Sequence, residues 1–243
     1  MSRRIDLAAG AVALALTGCT APSFPEGTVL PTDPPTTTRT ARPTTDQGQP
    51  PPRRVRRAHA TLARLDVVAR DPLVADYERD AFGTPWKDTD GNGCNQRDDV
   101  LLRDVAPGTV RVAQQGRCDH DVLAGRWRDP FTGRLLAFTD LKDARQAQAI
   151  QIDHVVPLGE AWRSGAAGWT DDRREVYAND LRLLLAVDGP TNASKGDDDP
   201  AAWKPRKGFQ CWYAVTWVET KSRWQLGADA SEVRGVEEML DRC

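Results

Sequence analysis

The sequence predicts an α+β domain that is mainly helical and braced by disulfides. Segments with helical composition or spacing, such as residues 141–149 and 209–224, outnumber the short apolar runs that predict strands. The 186 residues from 58 to 243 are enough for one sizeable hydrophobic core. Four cysteines fall within this region, which suggests that covalent bridges stabilise it.

The N-terminus, residues 1–19, predicts an export signal that ends in a lipobox. Residues 1–4 carry positive charge, and residues 5–16 are apolar apart from Asp6. This run is shorter than the roughly 20 apolar residues that a membrane-spanning helix needs. It ends in Leu-Thr-Gly-Cys, which makes Cys19 the predicted lipidation site. We expect an exported lipoprotein on the outer face of the cytoplasmic membrane, held there only by its lipid; a secreted protein with a plain signal peptide is the alternative.

Residues 20–57 predict a disordered linker. Nine prolines and nine threonines fall between residues 20 and 52, with almost no large apolar side chains. Such a composition cannot bury enough surface to fold. The linker closes with an arginine-rich cluster, residues 53–57, which could contact anionic lipid headgroups or DNA or could be a solvated linker end. The folded domain is expected to begin at Ala58.

The folded region opens with a predicted helix. Leu62, Leu65, Val68 and Ala69 fall at helical spacing, and Pro72 is expected to end the helix. The later elements are predicted from composition, apolar runs and turn signals. In chain order they are strands at 110–113 and 134–138, a helix at 141–149, a strand at 150–156, a helix at 171–178, a strand at 181–187, a helix with Pro190 in its first turn, and closing helices at 209–224 and 232–240, the last capped by Asp229 or Ser231.

Four cysteines remain once Cys19 is assigned to lipid. An even number in an exported domain predicts two disulfides, for which three connectivities are possible. We favour Cys94–Cys118 and Cys211–Cys243, because each pair closes a loop that is local in sequence. A zinc site is the alternative, but the chain has no Cys-x-x-Cys spacing and few histidines to complete such a site. These histidines are His59, His120 and His154.

The residues that carry chemistry lie between positions 151 and 200. Phosphodiester cleavage needs a base to deprotonate water, a divalent cation for the leaving oxygen and a positive charge for the phosphate. His154 offers the base, and activity is then expected to rise with pH through about 6.5. Asp153 and Asn192 offer hard oxygen ligands of the kind that Mg²⁺, or alternatively Mn²⁺, accepts. A histidine satisfied within the core is the alternative interpretation of His154.

Two basic residues are candidates for contact with the phosphate. Pro190 predicts the first turn of a helix that carries Asn192 and Lys195, and residues three apart share a helical face. Asn192 can then bind the metal while Lys195 reaches a phosphate oxygen; a solvated helix lysine is the alternative. Arg97 is the second candidate, unless it only neutralises the acidic loop that precedes it.

At these residues the chain resembles the HNH endonucleases, specifically the secreted actinobacterial group related to the GmrSD-type HNH domain. The likeness covers roughly residues 63–243 and rests on an ordered series of motifs rather than on the Asp-His pair alone. The series is Tyr-Glu-Arg-Asp-Ala-Phe-Gly at 77–83, Trp86, Asp-Thr-Asp-Gly-Asn-Gly-Cys at 88–94, Asp-Pro-Phe-Thr-Gly at 129–133, Asp-His at 153–154, Ala-Asn-Asp-Leu at 178–181, Asn-x-x-Lys-Gly at 192–196 and Asp-Pro-Ala-Ala-Trp at 199–203.

The resemblance implies that residues 58–243 form an HNH nuclease domain around a metal-binding hairpin of two strands and a helix (ββα). It implies His154 as general base, Asp153 and Asn192 as metal ligands, and Asn179 as the middle asparagine of the catalytic set, which braces the loop. The implied activity is extracellular, metal-dependent hydrolysis of phosphodiester bonds. A non-catalytic surface-binding lipoprotein that keeps this fold, stabilised by calcium, is the alternative.

An acidic loop imitates a calcium site. Asp88, Asp90, Asn92 and, at the twelfth position, Asp99 follow the spacing of a calcium-binding loop. The match is partial, because position 12 of such a loop is usually a bidentate glutamate. The alternative is a structural turn in which the aspartate side chains cap backbone amides. A structural Ca²⁺ ion is therefore expected only if the loop is a calcium site and not a structural turn.

The charge of the folded region limits how it could bind nucleic acid. From Ala58 onward the chain has 25 basic and 31 acidic residues, a net charge of −6. Such a domain attracts a polyanion only through a local basic lining and a bound cation. DNA is the expected nucleic-acid substrate. No protein partner is expected, and the protein is predicted to be a monomer.

Overall fold

The computed structural model describes residues 48–69 and 77–243, which form a mixed α+β fold with two small antiparallel sheets. The predicted signal peptide with Cys19, and residues 20–47 of the predicted linker, lie outside the described residues. None of the described helices is long and apolar enough to cross a membrane. The described elements are α1 (Pro52–Leu62), α2 (Gln96–Asp104), β1 (Arg111–Gln115), β2 (Cys118–Arg128), β3 (Leu135–Phe138), α3 (Ala144–Ala149), β4 (Ile150–His154), α4 (Leu158–Arg163), α5 (Asp171–Ala178), β5 (Leu184–Asp188), α6 (Gly189–Lys195), α7 (Lys207–Trp224) and α8 (Ala230–Leu240).

The three-stranded sheet has the strand order β1-β2-β3 and packs against α2. In its central strand the buried Trp127 donates a hydrogen bond from Nε1 to the backbone carbonyl of Leu101 at 2.9 Å, which fixes β2 to the helix. A disulfide between Cys94 and Cys118 joins the segment before α2 to the first residue of β2. The predicted pairing of these two cysteines is confirmed.

The second sheet consists of β4 and β5, paired antiparallel so that Asp153 lies opposite Leu185. Strand β5 is buried along its whole length, which explains its continuous apolar sequence. Helix α6 begins at the residue after β5, and the carboxylate of Asp188 accepts a hydrogen bond from the N–H of Thr191 to cap it. The end of β4 and the helix α6 are therefore held side by side.

Helix α7 is covered on nearly all sides, as its apolar circumference requires. Helices α1 and α8 pack against it, and a disulfide between Cys211 and Cys243 ties the last residue of the chain to it. The predicted pairing of these cysteines is also confirmed. Near the end of α7 the buried Lys221 pairs with Glu160 and Glu232 at 2.8 Å and 2.9 Å.

Helix α1 corrects the predicted boundary of the linker. The helix begins at Pro52, so the expected linker end at residue 57 falls inside it. Its arginines are not all solvated, because Arg54 donates two hydrogen bonds of 2.8 Å and 2.6 Å to the carboxylate of Glu219. The same guanidinium lies 4.9 Å from the ring centre of Trp212. Packing on α7 thus makes a helix from a segment whose composition alone suggests a linker.

The helix predicted around Leu65 and Val68 does not form. Helix α1 ends at Leu62, and Leu65 packs against the core in the irregular chain that follows. Val68 is exposed, and its N–H donates to the carbonyl of Ala228 at 3.0 Å instead of to a preceding turn. The predicted helix end at Pro72 lies outside the described residues.

Most other predicted elements are confirmed with shifted ends. Helix α5 has the predicted bounds, and α8 follows the predicted cap Asp229, whose side chain accepts from the N–H of Ser231 at 2.7 Å. Strand β4 ends at His154, two residues earlier than predicted, and β5 begins at Leu184. Helices α2 and α4 and strand β2 were not predicted, because charged residues interrupt their apolar patterns.

Candidate active site

A cleft of about 270 Å³ is lined by residues of β4, α4 and α6 and by a short 3₁₀ helix, Arg79–Phe82. Three of the predicted site residues line it together: Asp153, His154 and Asn192. The same cleft is lined by two polar residues for which the sequence suggests no role, Arg79 and Asp197.

His154 is buried at the end of β4 with its imidazole ring fixed by one hydrogen bond. Its Nε2 donates to the backbone carbonyl of Ala178 at 2.8 Å, and since a carbonyl cannot donate, this nitrogen carries the proton. Nδ1 is then the basic nitrogen. Burial lowers the pKa of His154 to about 3, opposed by the Ala178 hydrogen bond and assisted by the positive charges of Arg79 and Lys195. Burial therefore favours the neutral imidazole at pH 6.5, so titration of this group is not expected to make activity rise through that pH.

Asp153 is bound to a lysine that is itself fully buried. Nζ of Lys195 donates to the two carboxylate oxygens of Asp153 at 2.8 Å and 3.0 Å and to the backbone carbonyl of His154 at 2.8 Å. Burial raises the pKa of Asp153 and lowers the pKa of Lys195, while their mutual attraction opposes both shifts. Whichever of the two holds the proton, the pair has no net charge.

These contacts correct the predicted phosphate-binding residues. Lys195 has 0% exposure, and Asp153 and His154 occupy its three donors, so its ammonium does not reach into the cleft. Although Asn192 on the same helix lines the cleft, the Lys195 side chain points into the protein interior. Arg97 is also directed elsewhere, because it donates to the backbone carbonyls of Ala147 and Ile150 at 3.0 Å and 3.1 Å. It thereby holds the junction between α3 and β4.

The side-chain amide of Asn192 is oriented by a hydrogen bond to β4. The Nδ2 group donates to Oε1 of Gln151 in β4 at 2.9 Å. This bond fixes which end of the amide is the acceptor, and the side chain lines the cleft. The carboxamide can therefore contribute an oxygen to a cation.

Asn179 braces the segment opposite His154. Its Oδ1 accepts from the N–H of Lys87 at 3.0 Å, and its Nδ2 donates to the carbonyl of Thr84 at 3.4 Å. Between these two anchors lies Trp86, whose φ of 59° is in the left-handed region that residues other than glycine rarely adopt. The Trp86 ring lies nearly parallel to that of His154, at 19°, with 6.4 Å between ring centres. Asn179 thus holds the backbone on both sides of Trp86, and its side-chain hydrogen bonds go to backbone groups of this segment and of Glu175.

The acidic loop is closed by its own hydrogen bonds. Asp88 accepts from the N–H groups of Gly91 and Gly93 at 2.7 Å and 2.9 Å. The side-chain amide of Asn92 donates to Asp90 and Asp99 at 3.3 Å and 2.9 Å, so a donor stands between two of the expected calcium ligands. These contacts favour the structural turn over the calcium loop.

The described residues contain one other group with metal-ligand side chains, formed by Cys94, Cys118 and His120. The two sulfurs are joined in a disulfide, which removes both thiolates that zinc would need. His120 is bonded instead to Asp99 at 2.8 Å and to Asp119 at 2.5 Å. The zinc alternative therefore fails at this group.

The donor set of the cleft fits a hard divalent cation such as Mg²⁺. Asp153 and Asp197 offer carboxylate oxygens, and Asn192 offers an amide oxygen. Each carboxylate oxygen of Asp153 keeps a lone pair besides the one that accepts from Lys195. All of these ligand atoms are oxygens, and oxygen ligands are the ones that Mg²⁺ and Mn²⁺ prefer.

The sequence did contain signals for the two residues that were overlooked. Arg79 lies in the Tyr-Glu-Arg-Asp-Ala-Phe-Gly motif at 77–83, which was noted without a role. Asp197 follows Asn-x-x-Lys-Gly directly. Neither spacing could tell that the two side chains meet in one cleft, because Arg79 is more than 70 positions from the Asp-His pair.

Comparison with known proteins gives two similarities. Residues 95–233 match the family described as GmrSD restriction endonucleases, C-terminal domain. An "Uncharacterized secreted protein" of the fungus Arthroderma benhamiae (strain ATCC MYA-4681 / CBS 112371) is 37% identical over 189 residues, which are 76% of this chain and 84% of the relative. No solved structure matches the chain. Because this relative is fungal, the narrower resemblance to an actinobacterial group stays a prediction. Asp153, His154, Asn192 and Asp197 lie inside the matched family region, and Arg79 lies before it.

Proposed function

The chain belongs to the family of GmrSD restriction endonuclease C-terminal domains, and from this premise we propose that it is a metal-dependent HNH-type nuclease that hydrolyses phosphodiester bonds in DNA. The antiparallel β4–β5 pair, followed directly by α6, has the strand, strand and helix order of the implied ββα hairpin. That order supports the proposal because it brings the Asp-His pair and Asn192 to one cleft.

The observation that carries the proposal is a neutral imidazole in a cleft lined with oxygen donors. Burial lowers the pKa of His154 to about 3, and the Ala178 carbonyl accepts a hydrogen bond from Nε2. Nδ1 is then unprotonated at neutral pH and can accept a proton from water. A histidine that only filled space in the core would have no reason to line a polar cleft beside Asp153 and Asn192.

Asp153 and Asn192 would hold the cation in this cleft, most simply Mg²⁺ with Mn²⁺ as a substitute. When bound, the cation supplies positive charge for the phosphate and for the leaving oxygen. His154 takes a proton from the attacking water at Nδ1. Lys195 is a positioning residue, since it fixes the Asp153 carboxylate and the His154 carbonyl at once.

Arg79 takes the phosphate-contacting role that the sequence had suggested for Lys195 and Arg97. Among the residues that the structure describes, it is the one arginine or lysine that lines the cleft. It is exposed, so a substrate can reach it, and a guanidinium can bind two phosphate oxygens at once. Its position before the matched family region means that the N-terminal part of the domain contributes to the site.

We propose that the protein works outside the cell. Two disulfides fit an oxidising compartment, and the fungal relative is described as secreted. A lipid anchor at Cys19 and a monomeric state remain part of the proposal. With helix α1 included, the folded region has a net charge of only −2, so Arg79 and the cation are the expected sources of attraction for DNA at the cleft.

Incubation of the purified protein with supercoiled DNA, linear DNA and RNA, each with Mg²⁺ or with EDTA, tests the proposal. Mg²⁺-dependent conversion of supercoiled DNA to nicked or linear forms is the expected result. Equal cleavage in EDTA would exclude the metal, and cleavage of RNA alone would exclude DNA as the substrate. No cleavage of any substrate would favour the non-catalytic surface lipoprotein.

A further inference from the structure

The charge balance of the cleft leaves Asp153 poorly suited to attract a cation alone. Lys195 is fully buried and donates to both oxygens of the Asp153 carboxylate, at 2.8 Å and 3.0 Å. The pair has no net charge, and Asn192 is neutral. A divalent cation that met only these groups would lose its hydration without gaining the attraction of a net negative charge.

A second carboxylate lies at the same cleft. Asp197 lines it together with Asp153 and Asn192, and in contrast to Asp153 it is exposed. The residue before it, Gly196, ends α6 with a φ of 51°, a conformation that glycine adopts without strain. The carbonyl of Asp197 accepts a hydrogen bond of 2.7 Å from the guanidinium of Arg163 in α4. The backbone of Asp197 is therefore held in place.

Helix α4 leaves room for the Asp197 carboxylate. A Cβ atom placed on Gly159 would lie 2.5 Å from Oδ2 of Asp197 and 2.6 Å from its Cγ, distances that real Cβ atoms do not show. Any larger residue at position 159 would push the carboxylate away from its present position. The glycine thus leaves space for the Asp197 side chain, and Arg163 holds the backbone that carries it, at the cleft that Asp153 also lines.

We propose that Asp197 is a further metal-binding residue of this cleft and supplies the net negative charge that the Asp153–Lys195 pair lacks. The ion is a hard divalent cation, Mg²⁺ or Mn²⁺, for which carboxylate oxygen is a preferred ligand. This inference rests on the proposed function, because it assigns a residue to the same metal site. It adds a ligand that follows Asn192 by five positions and lies on the loop after α6.

Calorimetric titration of the full-length protein with Mn²⁺ tests this assignment without a substrate. Asp197→Asn keeps the shape of the side chain and removes its charge. Loss of a residue that only supports a metal ligand already weakens metal binding by about 10- to 100-fold, so at least about tenfold weaker Mn²⁺ binding is expected. Asp198→Asn is the matched control, with the same change of charge one residue along the same loop, outside the described lining of the cleft. It should bind Mn²⁺ as the wild type does.

Gly159→Ala is a second, independent variant, because the added methyl group should displace the carboxylate while every ligand is kept. Weaker Mn²⁺ binding than in the wild type is expected, with a melting temperature that shows a folded protein. If the wild type binds Mn²⁺ and cleaves DNA, and Asp197→Asn binds Mn²⁺ as tightly as Asp198→Asn, the inference is overturned and the proposed function stays intact. A wild type that neither binds Mn²⁺ nor cleaves DNA overturns both.

Discussion

Lys195 differs from the polar residues that line the cleft, because it has no exposed surface and its ammonium is bonded to Asp153 and His154. Arg79 and Asp197, in contrast, line the cleft and are exposed. The spacing of Asn192 and Lys195 correctly predicted one helix and one shared face. The spacing could not predict that the buried Lys195 ammonium donates to Asp153, because this contact depends on the packing of α6 against β4.

Replacement of Lys195 should show that its role is structural. Lys195→Met leaves a buried carboxylate without its partner, which should lower the free energy of unfolding by about 3–5 kcal/mol. Lys204→Met is the control, because Lys204 pairs at 3.1 Å with the mostly exposed Glu238, and such a pair contributes about 0–1 kcal/mol. Urea unfolding measures both changes. A Lys195→Met protein as stable as the wild type would show that the pair does not hold the site together.

Replacement of Arg79 should weaken DNA binding in a way that depends on salt. In a His154→Ala background, which prevents cleavage, Arg79→Gln should reduce the slope of log Kd against log salt concentration by about one. The loss of one phosphate contact is the physical reason. Arg234→Gln serves as control, since this exposed arginine lies on α8 and does not line the cleft. If both variants keep the wild-type slope, Arg79 does not contact phosphate.

At the scale of secondary-structure elements, a local cap did not decide which helices could be predicted. Helix α8 has the predicted aspartate cap, but α2, which was not predicted, is capped as well, because Asn95 accepts from the N–H of Asp98 at 3.1 Å. Helix α1 lacks such a cap, and its stability depends on α7, more than 150 residues away along the chain. Strand β2 depends on β1, β3 and α2 in the same way.

Helix α7 joins α4 and α8 through a buried cluster that should make stability depend on pH. Burial raises the pKa of Glu232 to about 7, opposed by Lys221 and assisted by Glu160. The folded protein therefore binds this proton more tightly than the unfolded chain, whose glutamate pKa is 4.5. The contribution to stability is complete below that value and is lost as pH rises through about 7.

The measurement is the free energy of unfolding in urea at pH 6 and pH 8. The wild type should lose stability between these values, and Glu232→Gln should lose less, because the amide does not titrate. Trp217 can still donate to the amide oxygen of the variant, as it donates to Oε1 of Glu232 at 2.6 Å. The account of this cluster fails if the two proteins have parallel pH profiles.

At the scale of the whole molecule, the sequence predicted the mixed α+β class, both disulfides and the residues Asp153, His154 and Asn192 that share the cleft. It did not predict that Arg79 lines that cleft, because no local pattern links this residue to β4. The lowered pKa of His154 could not be predicted from the sequence either, because it results from burial by elements that are distant along the chain.

The charge of the folded region gives little general attraction for DNA. With helix α1 included, the region from Pro52 onward has 29 basic and 31 acidic residues, a net charge of −2. At the cleft itself, attraction is expected from Arg79 and from the proposed cation. DNA binding, and not only catalysis, should therefore depend on the metal.

The most direct test of the central claim is the rate at which His154→Ala cleaves supercoiled DNA in the presence of Mg²⁺. General-base catalysis contributes about 10²- to 10⁴-fold, so a loss of that size is expected in a protein that keeps the wild-type melting temperature within a few degrees. His59→Ala, a change of the same kind on the exposed face of α1, should cleave at the wild-type rate. A folded His154→Ala protein that cleaves as fast as the wild type would contradict the assignment of the base.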